Sequence, residues 1–111
     1  MNWYIAKIVY QVISGEGRHQ AKFDEQLRLI KAADEQQAFI KACRLGKDNE
    51  EKFSKAGNQT GAWQFINVAE INPLSSLTDG VELYYQIHET AEADMYISYT
   101  NHKAALLQLQ Y

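Results

Sequence analysis

The stretch Trp3-Tyr4-Ile5-Ala6-Lys7-Ile8-Val9-Tyr10-Gln11-Val12-Ile13 is dense in aromatic and β-branched residues, which suit a pleated, half-buried surface. At a period of two, Tyr4, Ala6, Ile8, Tyr10 and Val12 fall on one side, and Trp3, Ile5, Lys7, Val9 and Gln11 on the other. The stretch therefore predicts a long strand with one apolar side and one mixed side.

Reading outward, Ser14 to Gln20 is a polar loop holding Gly15 and Gly17. A second strand is expected from about Phe23 to Ala32, where Phe23, Leu27 and Leu29 alternate with Asp24, Gln26 and Arg28. The two strands form an antiparallel hairpin. Asp34 then stands where a side-chain oxygen caps the backbone N–H of Gln37, as in a capping box. A helix is predicted from about Asp34 to Ser54, with Ala38, Ala42, Leu45, Asn49 and Phe53 at helical spacing beside Phe39 and Cys43. Gly46 either ends this helix or lets it approach the sheet closely. A loop from Lys55 to Gly61 leads to a third strand over Ala62 to Ile71, stopped by Pro73. Asp79-Gly80 marks a turn. Val81, Leu83, Tyr85 and Ile87 alternate with Glu82, Tyr84, Gln86 and His88, predicting a fourth strand. A last helix is expected from about Glu92 to Gln108, packing through Ala93, Tyr96, Ile97, Thr100, Ala104 and Leu107.

The order β-β-α-β-β-α, with a tryptophan opening each half, predicts an α+β fold. Its four-stranded antiparallel sheet would carry both helices on one face. No linker divides residues 1–111, so a single domain is expected. The chain has 111 residues, of which 46% are hydrophobic and 23% charged, within the range of folded domains and outside that of disordered chains. A formal charge of −3 argues against nucleic acid, whose binders carry a basic surplus. No window reaches the roughly 20 apolar residues that span a bilayer, and the N-terminus reads as a strand, not a signal peptide. A cytoplasmic protein with no membrane partner is expected.

Several stretches resemble a bacterial domain-of-unknown-function family of about this length. They are Trp3-Tyr4 with Ala6-Lys7, the loop ending in His19, Phe23-Asp24-Glu25-Gln26 with Arg28-Leu29-Ile30, Leu45-Gly46-Lys47, and Trp63 with Phe65. The resemblance implies a single domain in a bacterial cytoplasm, and no activity, cofactor or catalytic residue.

Recognisable chemistry is sparse. Gly15-Glu16-Gly17 leads into a strand, whereas phosphate-cradling glycines open a helix. His19, His88 and His102 lie on a loop, a strand and a helix, without metal-ligand spacing. Asp24 and Glu25 are adjacent on a strand and point to opposite faces. Cys43 is the sole cysteine, and reads as a small apolar helix residue, not a nucleophile. No cofactor or metal is expected.

One feature does point to function. If helices shelter the apolar side of the first strand, its mixed side is left open, and an exposed apolar sheet face marks an interface. The candidate interface is Trp3, Ile5, Lys7, Val9, Arg28, Tyr84 and His88, with Gln26, Ile30, Glu82 and Gln86 beside them. The leading expectation is a non-enzymatic protein-interaction module, binding another protein or a second copy of itself. One alternative is a small acidic immunity or regulatory protein that binds a basic partner. Another is a ligand binder or enzyme with a cleft near His19, Arg28, Glu82 and His88. Cover of the open face by the chain's own C-terminal segment or by a long loop would remove the interface.

Overall fold

The N-terminal stretch forms β1 (Asn2–Ser14), the middle strand of the sheet. β2 (Lys22–Ala32) pairs with it on one side and β3 (Gly61–Leu74) on the other, both antiparallel. α1 (Glu35–Lys55) connects β2 to β3, and α2 (Ala93–Gln108) follows. The computed structural model describes residues 1–14, 20–55 and 61–111. The predicted loops at 14–20 and 55–61, with Gly15-Glu16-Gly17 and His19, fall largely outside the described residues. β2 and β3 run parallel to each other with β1 between them, so β2-α1-β3 is a split β-α-β unit.

The side of β1 carrying Tyr4, Ala6, Ile8 and Tyr10 is the core side, as its period predicts. These residues are buried together with Ile30 and Ala32 of β2, Val68 of β3, and Ala38 and Ala42 of α1. The helix starts where Asp34 accepts the backbone N–H of Gln37 at 2.8 Å. Gly46 lets it lie close to the sheet. A Cβ there would fall 3.2 Å from Ile8 Cγ2 and 2.7 Å from Phe65 Cδ1, and closer still to Phe65 Cε1. The buried Tyr10 hydroxyl donates to the Gly46 carbonyl at 2.9 Å, and burial pushes its phenol pKa up.

β3 carries two irregularities, where its register with β1 shifts between Lys7 and Ile8 and between Val9 and Tyr10. Such bulges free backbone groups that need other partners. The Val68 N–H is accepted by its neighbour Asn67 Oδ1 at 2.8 Å, and the Phe65 N–H by the Glu50 carboxylate of α1.

Three expectations are corrected. There is no fourth strand among the described residues: the sheet is three-stranded, ordered β2-β1-β3. Residues 81–88 alternate as a strand would, yet they form no ladder, and Tyr84 bonds instead to side chains on the sheet face. The two helices do not share a face. α1 packs on all three strands, whereas α2 touches no other helix or strand among the described residues and buries none of its own residues. Finally, Pro73 does not stop β3. It pairs with Tyr4, and β3 has a single neighbour, so a residue lacking an N–H is tolerated there.

Candidate interaction surface

The side of β1 away from α1 is built by register. Trp3 pairs with Lys31, Ile5 with Leu29, Lys7 with Leu27, Val9 with Glu25 and Gln11 with Phe23. Paired residues share a face, so β2 contributes Phe23, Glu25, Leu27, Leu29 and Lys31 to this outer face. Phe23, Leu27 and Leu29 are 56%, 50% and 45% exposed. The opposite side of β2 is the polar one. There Gln26 Nε2 donates to Asp24 Oδ2 at 2.7 Å, Arg28 Nη2 donates to Gln26 Oε1 at 2.7 Å, and Trp63 Nε1 donates to Asp24 Oδ2 at 3.2 Å. All four of these residues are half-buried. Over residues 23–29 β2 thus turns Phe23, Leu27 and Leu29, with Glu25 among them, to solvent and Asp24, Gln26 and Arg28 toward the helix layer, the reverse of the usual arrangement for an antiparallel sheet.

Lys7 is the electrostatic centre of the outer face. Its ammonium lies 2.8 Å from Glu70 and 3.3 Å from Glu25, and donates to the Tyr84 hydroxyl at 3.1 Å. It also stands 4.8 Å from the centre of the Tyr84 ring. The Tyr84 hydroxyl can pass its own hydrogen to Glu70 Oε2 at 3.4 Å or to Gln86 Oε1 at 3.3 Å. The bonds to Glu70 and then Tyr84 raise the lysine pKa, and the bond from Lys7 lowers that of Glu70. Both groups are therefore charged across the neutral range. Tyr84 fastens the segment after β3 to the sheet like a strap.

Under that strap Ile5 and Leu74 are buried, at 6% each. Leu77 and Leu83 lie over them, and with Leu27, Arg28 and Leu29 they line an almost wholly apolar cavity of about 290 Å³. Gly80, at φ +84°, provides the turn that brings the segment back, closed by the Val81 N–H on the Thr78 carbonyl at 3.1 Å. This left-handed position suits glycine.

Of the residues picked out in sequence, the structure gathers Trp3, Ile5, Lys7, Val9 and Tyr84 on the outer face. Ile5 is covered there by the chain itself, Trp3 and Val9 are half-buried, and Lys31 Nζ lies 5.2 Å from the Trp3 ring centre. Arg28, Gln26 and Ile30 belong to the opposite face, with Ile30 in the core. His88 is exposed and stands against Tyr96 of α2, ring centres 5.6 Å apart. Arg28 bonds to Gln26 and also lines the cavity that Leu83 lines, while Glu82 and His88 are exposed. His19 lies outside the described residues. Phe23, Leu27 and Leu29 were missed because an error of one residue in hairpin register moves a whole strand's side chains to the other face. The signal that could have found them was the parity of the pairing, which the intervening loop sets.

Among the described residues no group of His, Cys, Asp and Glu is arranged to hold a metal, and no helix is long and apolar enough to cross a membrane. Together these features define an α+β domain with one helix-covered sheet face and one face only partly strapped. The chain belongs to DUF4288, a family described as a domain of unknown function, whose model matches residues 3–85. No curated protein and no solved structure matches it.

Proposed function

We propose that this chain is a non-enzymatic protein-interaction module that docks a protein on its outer sheet face. The supporting observation is the exposed apolar set Phe23, Leu27 and Leu29, beside the apolar cavity, on a strand that turns Asp24, Gln26 and Arg28 the other way. The exposed half of such large apolar side chains costs solubility, whereas its burial against a partner stabilises by roughly 25 cal/mol for each Å² removed from water. The strap covers Ile5 and leaves β2 open, so the docking surface is narrower than the sequence implied and is centred on β2.

A photo-crosslinking residue at Leu27, compared with one at the exposed Gln36 of α1, tests this in cells. A discrete adduct from position 27 that disappears with Leu29→Asp is expected. Equal labelling from both positions, or none from position 27, would remove the proposal.

A further inference from the structure

We infer that the occupant of the outer face is a second copy of this chain, and that the two copies exchange α2, each laying its helix along β2 of the other. The inference deepens the interaction reading above and rests on it. It begins with α2. Asp94, Asn101 and Gln108 recur at a spacing of seven on one line, with Ser98, Thr100, His102 and Lys103 elsewhere around the helix. Met95, Tyr99 and Leu106 lie to one side of that line, and Ile97 and Leu107 to the other. All five are at least half exposed. Large apolar side chains left exposed together on one element mark a contact surface. A free helix of 16 residues is marginal in water, because tertiary packing, not intrinsic propensity, supplies most helical stability. Yet α2 touches no other helix or strand among the described residues.

The same chain holds the complementary surface. The row Phe23, Leu27 and Leu29, interrupted by Glu25, and the cavity beside it, roofed in part by Leu77 and Leu83, leave an exposed apolar strip along β2. A fold that leaves both a donor helix and an acceptor strip exposed satisfies both at once in a two-fold dimer, where each surface meets its complement on the partner. Tyr84 holds the segment after β3 on its own sheet, so the reach of the exchanged helix is set by residues 85–92, which span up to roughly 28 Å when extended. The radius of gyration, 17.5 Å, exceeds the ~13 Å of a closely packed 100-residue domain, as expected of a chain with one arm extended.

The area is sufficient. Phe23, Leu27 and Leu29 on the acceptor and Tyr96, Ile97 and Leu107 on the donor are each about half exposed. Side chains of this size at half exposure offer roughly 100 Å² each, or about 600 Å² of apolar surface per copy. With the polar rim of an ordinary interface, this reaches the ~800 Å² per partner of a standard complex.

Light scattering of the full chain and two single variants tests the exchange. The wild-type chain is expected at twice its 12.7 kDa monomer mass. Leu27→Asp, which spoils the acceptor, and Ile97→Asp, which spoils the donor, are each expected at the monomer mass. Mixing the two is expected to restore dimer, because the intact helix of the first fits the intact strip of the second. Circular dichroism checks that both variants fold, and Leu29→Asp and Leu107→Asp replace any that does not. A monomeric wild-type chain, a dimeric Ile97→Asp, or a mixture that stays monomeric overturns the exchange. A dimer that survives Ile97→Asp but not Leu27→Asp overturns the exchange alone and leaves the outer-face reading standing. The crosslink from Leu27 judges that reading separately.

Discussion

Gly46 shows how one residue sets the distance between layers. Any side chain there meets the Phe65 ring and Ile8, and the ring is held edge-on against Tyr10, centres 6.1 Å apart. Gly46→Ala would gain about 1 kcal/mol of helix propensity and lose about 1–3 kcal/mol to overpacking. The expected outcome is a net loss near 1 kcal/mol, read as a lower urea midpoint with an unchanged slope; a more stable variant would show that the ring yields freely. The sequence left two fates open for this glycine, helix end or close approach, and only the packing distance chooses between them. The Asp34 cap was readable because it is local. The orientation of Arg28 was not, because it depends on pairing across a hairpin.

At the scale of elements, the legible parts were those whose period matched their surroundings. β1, β2 and α1 lie within a residue or two of their expected bounds. Residues 81–88 have a strand's alternation without a strand's pairing, because alternation reports that two sides differ and does not supply a ladder. What holds this segment is Tyr84 on Lys7 and Glu70, and that attachment depends on pH. Glu70 is depressed, so its contribution is complete above the ordinary glutamate range and is lost as pH falls through the depressed value. Lys7 is raised, so its contribution is complete below the ordinary lysine value of 10.5 and is lost only as pH climbs through the raised one. The strap is therefore firm at neutral pH and loosens first in acid. The Tyr84 ring resonances are expected to shift in an acid step as its hydroxyl loses the Glu70 carboxylate, with Glu70→Gln shifted already at neutral pH and lacking that step. Identical acid profiles for the two proteins would assign the step to another carboxylate.

For the whole molecule, the family match ends at Tyr85, before α2, which no other helix or strand touches among the described residues. Removing residues 93–111 is accordingly expected to leave the thermal midpoint of a dilute sample unchanged. In the full chain the midpoint should rise with protein concentration, since association stabilises by mass action, and each tenfold step is worth about 1.4 kcal/mol. The truncated chain should show no such rise. Equal concentration dependence in both would place the association surface outside α2.

Pro73 and the two register shifts sit on the same border of the sheet. They leave β3 a poor template for another chain, because its outer backbone groups are interrupted. The border formed by β2 has no proline and pairs without a shift. Lateral growth is thus open in one direction only. Two copies joined along that side would present blocked borders at both ends, so strand addition would stop after one step and would not run on into a fibre.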